Sequence, residues 1–370
     1  MKKSELDTPS LIIDIDLFEQ NLKTMAACAS RVQKKLRPHA KTHKCPEIAK
    51  RQLAAGNCIG ICVAKVSEAE KMAQAKIQDI LITSPVVTPQ KIKKLIRLHN
   101  ALQNLMVVVD NPINIRMLAE AAKEASKPLK VLVDLDPEMG RTGVPFSDAL
   151  EMGKQISSFS SLHLQGIQCY CGHLQHIRNY RERQQQSFFY MKRAADVFHS
   201  FQKAGLSCDI FTGTGTGTCS ADLQIPELTD IQVGSYCVMD AEYSPISESR
   251  GTLCDIFHPS LTMLTSVIST NHSDYITIDA GTKALYVTPQ APPFILRDGK
   301  TNPNWVYDWS FGDEHGRVKC PPSEKPALGS TLELIVSHCD PTINLFDQFF
   351  IAKGDEIIDT WDISLRGCCQ

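Results

Sequence analysis

The sequence lacks the features that mark membrane and secreted proteins. None of its apolar runs reaches the roughly 20 residues that a membrane-spanning helix needs. The opening residues 1–7 contain no apolar signal core, and Pro9 soon follows them. From these absences we expect a cytoplasmic protein that does not bind a membrane.

An excess of charge of one sign is also missing. The chain has 39 Lys and Arg against 41 Asp and Glu, a formal net charge of -2. This balance is typical of globular proteins and disfavours nucleic acid as a partner. The expected partners are small molecules or other copies of the chain. Its 370 residues are too many for one simple layered core and predict two domains.

Cysteine is plentiful, but paired CxxC motifs are missing. The fourteen cysteines include three close pairs whose spacing fits neither a zinc ribbon nor a zinc finger, namely Cys58/Cys62, Cys169/Cys171 and Cys368/Cys369. Without a signal core, a disulfide scaffold is not expected either. We interpret most of these thiols as reduced, small, buried apolar groups.

Short apolar runs alternate with amphipathic stretches as far as about residue 240, which predicts repeated βα units. Helix starts are predicted at the capping boxes 16–19 and 67–70, and at Thr88-Pro89 and Asn111-Pro112. The eight predicted strands are 36–39, 59–64, 80–83, 105–110, 131–136, 164–170, 209–212 and 231–236.

Eight such units predict an α/β fold, a (β/α)8 TIM-type barrel over residues 16–255. Beyond it, strand-like runs at 261–269, 275–279 and 332–337 predict a C-terminal, mostly-β domain over residues 256–370. Residues 1–15 are assigned to the same domain, with an apolar strand at 11–15.

Chemically unusual residues follow several of the predicted barrel strands, at the end where such barrels place their active sites. Lys41 follows the first strand, and the run Thr212-Gly213-Thr214-Gly215-Thr216-Gly217-Thr218 follows the seventh. Backbone N–H groups and hydroxyls in such a loop suit a phosphate, although the loop could equally form only a tight turn. Lys41 could be a solvated surface lysine or an amine that forms a Schiff base, and composition does not choose between them.

One run of residues settles that choice by resemblance. Arg37-Pro38-His39-Ala40-Lys41-Thr42-His43-Lys44 resembles the cofactor-lysine motif of the D-threonine aldolase and D-serine dehydratase family, fold-type III pyridoxal-phosphate (PLP) enzymes with an alanine racemase-like barrel. The resemblance extends along the whole chain. Its further motifs are Asp7-Thr8-Pro9, Gly140-Arg141-Thr142-Gly143, Tyr170 with His176, the Gly/Thr loop, Gly234-Ser235-Tyr236 and His338-Cys339-Asp340-Pro341-Thr342.

The resemblance implies a role for each matched residue. Lys41 would carry PLP, and Arg141 and Tyr170 would lie near the pyridine ring and its phenolic oxygen. Thr216, Gly234 and Ser235 would hold the phosphate, with Tyr236 beside them. Thr214 stands where the family has a glycine, which puts its backbone contact in doubt. The family pattern also implies a homodimer whose subunits share their active sites.

His338 and Asp340 are the predicted ligands of a divalent metal. They are two residues apart after a strand-like run, so in an extended chain both side chains would lie on one face and Cys339 on the other. The alternative is a local hydrogen-bonded pair without a metal. By resemblance, a carboxylate at the second position favours Mn²⁺ or Mg²⁺ and the aldolases, whereas a thiolate favours Zn²⁺ and the dehydratases. A local bulge at Cys339 could still bring that thiol to the ion.

The predicted activity is aldol cleavage of β-hydroxy D-amino acids of the D-threonine type to glycine and an aldehyde. His176, matched to the family's histidine, is the predicted base for the hydroxyl proton, with His173 as a weaker candidate. One alternative is a metal-dependent dehydratase acting on D-serine or 3-hydroxy-D-aspartate. Another is a non-catalytic PLP-binding protein, which would need neither the C-terminal domain nor the metal pair.

Overall fold

The computed structural model describes residues 1–297, 299–308 and 311–370. They divide into two compact units. The strand-rich unit comprises Met1–Thr24, Thr42–Glu47 and Ser235–Gly367. The barrel unit comprises Met25–Lys41, Ile48–Gly234 and Cys368–Gln370. The predicted domain boundaries at residues 15/16 and 255/256 stay a prediction.

The strands and helices alternate in the first two thirds of the chain and are mostly strands thereafter. In chain order the strands are β1 Ser10–Asp14, β2 Lys35–Leu36, β3 Ile61–Val63, β4 Asp79–Ile82, β5 Asn104–Val109, β6 Leu129–Leu135, β7 Leu162–Cys169, β8 Ile210–Gly213, β9 Asp230–Ile231, β10 Leu261–Ser269, β11 Tyr275–Ile278, β12 Phe294–Arg297, β13 Lys300–Thr301, β14 Val306–Asp308, β15 Gly316–Lys319, β16 Thr331–Ile335, β17 Gln348–Lys353 and β18 Glu356–Asp362. The helices are α1 Ile15–Arg31, α2 Pro46–Ala54, α3 Val66–Gln74, α4 Pro89–Ala101, α5 Pro112–Ala122, α6 Ala149–Ser157, α7 Tyr180–Lys203, α8 Cys219–Asp222 and α9 Cys339–Ile343.

The barrel unit contains one sheet of eight parallel strands in the order β2-β9-β8-β7-β6-β5-β4-β3. The segment that begins with β2 closes it, because this segment bonds to β9 on one side and to β3, the last strand of that order, on the other. The Arg37 N–H donates to the Ile231 carbonyl, and the Cys62 N–H donates to the Pro38 carbonyl, at 2.9 and 2.8 Å. The predicted (β/α)8 barrel is therefore confirmed.

Much of the barrel sheet packs against apolar side chains, as parallel strands covered on both sides require. One cluster of fully buried side chains spans β3 to β6 and comprises Cys62, Leu81, Met106, Val108 and Leu132. Packing of this kind holds the strands in register, so that their carboxyl ends meet at one edge. Nowhere in the described ranges is there a helix long and apolar enough to cross a bilayer.

The predicted helix starts hold in two places and fail in two. Helices α4 and α5 begin at Pro89 and Pro112 as predicted, and the Asn111 side chain accepts the Ile113 N–H at 2.8 Å. The helix starts predicted from the capping boxes at residues 16–19 and 67–70 are wrong. α1 begins at Ile15, because the Asp14 carboxylate accepts the N–H groups of residues 16 and 17. α3 begins at Val66, because Glu68 accepts the N–H groups of residues 64 and 65.

The eighth predicted strand is also too long at its carboxyl end. Strand β9 ends at Ile231, and residues Ser235–Cys237 form a 3-10 turn instead of continuing it. The Met239 N–H donates to the Ser235 carbonyl at 2.7 Å, which tightens this turn. The eighth barrel strand is therefore followed closely by a single 3-10 turn.

The strand-rich unit is organised around β10, which is antiparallel to both β1 and β16. Strand β1 pairs on its other side with β17 in parallel. The apolar run predicted at residues 11–15 is thus a strand of this unit, apart from Ile15, which begins α1. The prediction of a mostly-β C-terminal region is confirmed.

A buried ion network ties the segment after β2 to the first residues of β4 and β9. The Arg37 side chain is 3% exposed, contacts Asp79 through Nη1, and has Nε 3.5 Å from Asp230 Oδ1. Thr212 donates a further hydrogen bond to Asp230 at 2.7 Å. One cation therefore faces two carboxylates, and both Arg37 and Asp230 are almost fully buried.

Replacing Arg37 should destabilise the barrel. Arg37→Met leaves Asp230 buried without its cation, a loss on the order of 3–5 kcal/mol in the apparent free energy of unfolding. Urea unfolding followed by circular dichroism measures it. Lys123→Met, which removes an exposed ion pair with Glu120, should leave the urea midpoint unchanged. Equal midpoints for the Arg37 variant and the wild type would contradict the structural role given to the network.

Candidate active site

Five predicted site residues follow five adjacent strands of the barrel unit. In sheet order, Lys41 follows β2, Gly234 follows β9, Thr216 follows β8, Tyr170 follows β7 and Arg141 follows β6. Because these strands are parallel, their carboxyl ends lie at one edge of the sheet. The register of the first three is fixed by backbone hydrogen bonds from the His39 N–H to the Val233 carbonyl and from the Gln232 N–H to the Gly213 carbonyl, at 3.0 and 2.7 Å.

Lys41 is half-buried at the end of the segment that closes the barrel. Its backbone N–H donates to His39 Nδ1 at 3.3 Å. His39 Nε2 lies 3.0 Å from the Thr83 hydroxyl, which donates to the Val63 carbonyl. An imidazole that accepts at Nδ1 and donates at Nε2 is neutral, so His39 fixes the backbone at Lys41 without adding charge beside it.

Arg141 lies on a loop anchored by carboxylates. Its guanidinium carbon lies 5.3 Å from the centre of the Tyr170 ring, so the structure brings these two residues together. The Thr142 hydroxyl donates to Asp134 at 2.8 Å and the Gly143 N–H to Asp110 at 3.1 Å. Burial raises the pKa of Asp134 to about 6 against the hydrogen bonds it accepts.

Gly143 is required in this loop by its backbone conformation. Its φ is +100°, and a Cβ there would lie 2.5 Å from the backbone of Leu135 and Asp136. Only glycine combines that φ with such close backbone approach. The Gly-Arg-Thr-Gly motif is therefore a loop of fixed shape that presents Arg141 at the mouth of the barrel.

The Gly/Thr loop is buried and tied to Gln175. The Gly217 N–H donates to Gln175 Oε1 at 2.9 Å, and Gln175 Nε2 donates to the Thr218 hydroxyl at 3.1 Å. This N–H is therefore already used within the protein. Thr216 is 2% exposed. Thr214 has φ +78°, a conformation that favours glycine, which explains why its departure from the family pattern matters.

A second buried group supports the same loop from α7. Arg183 is 1% exposed, and its Nε donates to the Gly217 carbonyl at 2.6 Å. Asp222 accepts hydrogen bonds from Thr218, at 2.6 Å, and from Ser187. Burial raises the pKa of Asp222 to about 6, opposed by these hydrogen bonds. The loop is thus rigid before any ligand binds.

The two histidines predicted after the sixth barrel strand are both exposed. His176 lies in the turn after a 3-10 helix, Gly172–Leu174, and so belongs to the same edge as Tyr170. His173 packs edge-on against Tyr190 with ring centres 5.3 Å apart. Desolvation lowers the pKa of His173. His173 is therefore engaged with α7.

Four predicted site residues belong to the strand-rich unit. Ser235 and Tyr236 form the 3-10 turn after β9, and both are buried. The Tyr236 ring packs edge-on against Phe257, with centres 5.9 Å apart. His338 and Asp340 are half-buried, with 3.9 Å between His338 Nε2 and Asp340 Oδ2. The structure therefore brings His338 and Asp340 together.

The extended conformation predicted from the sequence for residues 338–340 is wrong. Strand β16 ends at Ile335, and His338 is the N-cap of α9, so Asp340 lies in the first helical turn and not in extended chain. The Thr342 hydroxyl donates to the His338 carbonyl at 2.8 Å and stabilises this turn. The Cys339 thiol is fully buried and donates to the Met239 carbonyl at 3.0 Å, so no bulge turns it toward the pair.

Sequence reasoning missed two carboxylates beside His338. Asp240 Oδ2 lies 2.9 Å from His338 Nδ1, and Glu242 Oε2 lies 3.5 Å from the same atom. Burial lowers the pKa of His338, but the hydrogen bond to Asp240 and the charges of Asp340, Asp240 and Glu242 outweigh it and raise the pKa to about 9. The only local signal was their position just after Gly234-Ser235-Tyr236.

The donor set at this position suits a divalent cation. An imidazole nitrogen and a carboxylate oxygen face each other, and the surrounding carboxylates favour positive charge. In the described part of the chain, no group of three or more His, Cys, Asp or Glu side chains is arranged to hold a metal ion. His338 and Asp340 therefore suit a divalent cation and supply two ligands for it.

The fold and these motifs define the class of alanine racemase-like PLP barrels. Residues 13–242 match the family described as alanine racemase, N-terminal domain, and residues 260–352 match the putative serine dehydratase domain. The chain therefore belongs to the family of D-threonine aldolases and D-serine dehydratases, and it is a lyase. Family membership supports PLP as its cofactor.

Individual relatives cover nearly the whole chain. A D-threonine aldolase of Arthrobacter sp is 39% identical over 98% of this chain and 94% of its own length. A 3-hydroxy-D-aspartate aldolase of Paracoccus denitrificans is 32% identical over 99% of this chain and 94% of its own length. The crystal structure of D-threonine aldolase from Filomicrobium marinum has a TM-score of 0.92 and 34% identity, covering 100% of this chain and 98% of that one.

Removing the Gln175 side-chain contacts should weaken PLP binding. Gln175→Leu deletes the acceptor of the Gly217 N–H and the donor to Thr218, so we expect the PLP dissociation constant to rise by about tenfold as the loop loosens. Absorbance titration of cofactor-free protein measures it. Gln224→Leu changes an exposed glutamine near the same loop and serves as the control. An unchanged PLP affinity in the Gln175 variant would show that the loop does not need this anchor.

Proposed function

We propose that the protein is a PLP- and divalent metal-dependent aldolase that cleaves β-hydroxy D-amino acids of the D-threonine type to glycine and an aldehyde. The observation that carries the proposal is the approach of Asp340 to His338 Nε2, at 3.9 Å, while Cys339 points away to the Met239 carbonyl. A hard carboxylate in place of a thiolate favours Mn²⁺ or Mg²⁺ over Zn²⁺. This is the ligand choice that the resemblance associates with aldol cleavage.

The barrel unit supplies the proposed cofactor residues. In this proposal the Lys41 amine is joined covalently to the cofactor, Thr216, Gly234 and Ser235 hold its phosphate, and Tyr236 is a further cofactor-binding residue. Arg141 and Tyr170 lie against the ring and its phenolic oxygen. The order of Lys41, Gly234, Thr216, Tyr170 and Arg141 along one edge of the sheet supports this assignment. When bound, PLP supplies an electron sink for the carbon left by cleavage of the Cα–Cβ bond.

The second requirement is removal of the β-hydroxyl proton. Ionising an ordinary alcohol at pH 7 costs on the order of 12 kcal/mol, from about nine pKa units at roughly 1.36 kcal/mol each. A divalent ion held by His338 and Asp340 would supply the Lewis acidity that lowers this cost. His176 is the proposed base that accepts the hydroxyl proton, and its exposed position leaves it able to pass the proton to solvent.

Two further proposals concern assembly and location. We propose a homodimer with shared active sites, which rests on the family resemblance. We also propose a cytoplasmic location, which is supported by the expectation from the sequence that most of the thiols are reduced. Light scattering of the purified protein tests the first, and fractionation of the source cells tests the second.

The product of the reaction separates the proposed activity from its alternatives. With D-threonine and Mn²⁺, the purified protein should form glycine and an aldehyde in equal amounts and no ammonia, because cleavage breaks Cα–Cβ and leaves the amino group on glycine. Amino-acid analysis with aldehyde and ammonia assays measures all three. Ammonia released from D-serine or 3-hydroxy-D-aspartate, without glycine, would instead establish a dehydratase, and no turnover would leave a PLP-binding protein.

Removing the metal should abolish cleavage and spare the cofactor. Because His338 and Asp340 are proposed to act on the hydroxyl and not on the amino group, Asp340→Ala should retain the absorbance of bound PLP and its change on adding D-threonine, while glycine formation falls by several orders of magnitude. Asp347→Ala alters an exposed aspartate and is the matched control. Full activity after chelation, or loss of PLP in the Asp340 variant, would contradict the proposed role.

A further inference from the structure

The two ring nitrogens of His338 face two different carboxylates. Nδ1 lies 2.9 Å from Asp240 Oδ2, and Nε2 lies 3.9 Å from Asp340 Oδ2. Asp240 is completely buried, while His338 and Asp340 are half-buried. The imidazole therefore has a buried carboxylate on one side and the predicted second metal ligand on the other.

Asp240 is itself held in place through both carboxylate oxygens. Oδ2 accepts the Cys339 N–H at 3.0 Å in addition to facing His338, and Oδ1 accepts the Tyr243 N–H at 3.0 Å. Its backbone carbonyl accepts the Ser244 hydroxyl at 2.6 Å. A side chain with both oxygens engaged has little freedom to turn, so the position of Oδ2 beside His338 is fixed.

The backbone on both sides is fixed as well. The Ala241 N–H donates to the Val336 carbonyl at 2.9 Å and the Glu242 N–H to the Ser337 carbonyl at 3.1 Å, which joins the segment after Asp240 to the segment before His338. Met239 has φ +54°, an uncommon conformation for a residue other than glycine. Such a turn persists where the surrounding contacts over-determine it.

A carboxylate that accepts from Nδ1 determines what the other nitrogen can do. An ionised carboxylate only accepts hydrogen bonds, so when the imidazole is neutral, as a metal ligand must be, the proton lies on Nδ1 and the lone pair lies on Nε2. A carboxylate in this position also fixes the ring orientation and raises the basicity of the ligating nitrogen. The lone pair of Nε2 is then presented on the side where Asp340 lies.

We infer that Asp240 is a positioning residue that holds His338 in the tautomer and orientation in which Nε2 binds the metal. This inference rests on the metal site of the proposed function and adds a residue that does not touch the ion. Glu242 is the natural comparison, since it carries the same charge near His338 Nδ1, at 3.5 Å, but is 20% exposed where Asp240 is completely buried.

The test is Mn²⁺ binding to PLP-loaded, chelator-treated protein, followed by the electron paramagnetic resonance signal of free Mn²⁺. In Asp240→Asn the side chain keeps its size but has one acceptor oxygen where two are needed, for His338 and for Tyr243. We expect Mn²⁺ affinity to fall by about 10- to 100-fold. Glu242→Gln removes the same charge without that hydrogen bond, and its affinity should change by about threefold or less.

The outcomes distinguish this inference from the proposed function. If the wild type and Asp240→Asn bind Mn²⁺ equally, the inference is wrong and the metal site stands. If Asp240→Asn and Glu242→Gln weaken binding equally, charge and not orientation matters, and the inference is again wrong. If the wild type binds no Mn²⁺, the proposed metal site fails and takes the inference with it.

A measurement on the wild-type chain covers the case in which Asp240→Asn does not fold. Long-range ¹H–¹⁵N spectra of the histidine-labelled, Mg²⁺-loaded protein report which ring nitrogen carries the proton, with His338 assigned by comparison with His338→Gln. We expect a proton on Nδ1 and none on Nε2. A proton on Nε2 would overturn the inference.

Discussion

The barrel depends on the hydrogen bonding of one short segment between two strands that are far apart in the sequence. Residues 36–40 bond on one side to Ile231 and Val233 and on the other to residues 57–62, which closes the sheet. Closure fixes where the segment ends, and it ends at Lys41. The buried Arg37, neutralised by Asp79 and Asp230, holds the same segment from its opposite end. The same few contacts therefore stabilise the closing segment and determine where Lys41 lies.

The strand-rich unit places several charged side chains close together. His338, Asp340, Asp240 and Glu242 place three carboxylates around one imidazole. Such a group is stable only with positive charge among the carboxylates. A protonated His338 or a bound divalent ion meets that requirement, and the second also serves the proposed chemistry. In our inference, Asp240 fixes the orientation of His338 within this group.

The sequence predicts the parts of this structure that depend on local pattern. Eight apolar runs correctly predicted eight barrel strands, because the hydrophobic pattern of a strand lies in consecutive residues. The extended geometry assumed for residues 338–340 failed, because Pro341 fits the first turn of a helix, where its missing N–H costs nothing. Asp240 was missed because it is 98 residues from His338 and no local pattern links them. Gln175 was missed for the same reason, since its partners lie in the Gly/Thr loop.

In the proposed enzyme, the closing segment of the barrel presents Lys41 to the cofactor. The most direct measurement is borohydride reduction of the PLP-loaded protein, followed by proteolysis and mass spectrometry of the labelled peptide. We expect one pyridoxyl group per chain, on Lys41. A label on Lys44 or on any other lysine, or a reduced protein that releases all of its cofactor on denaturation, would contradict it.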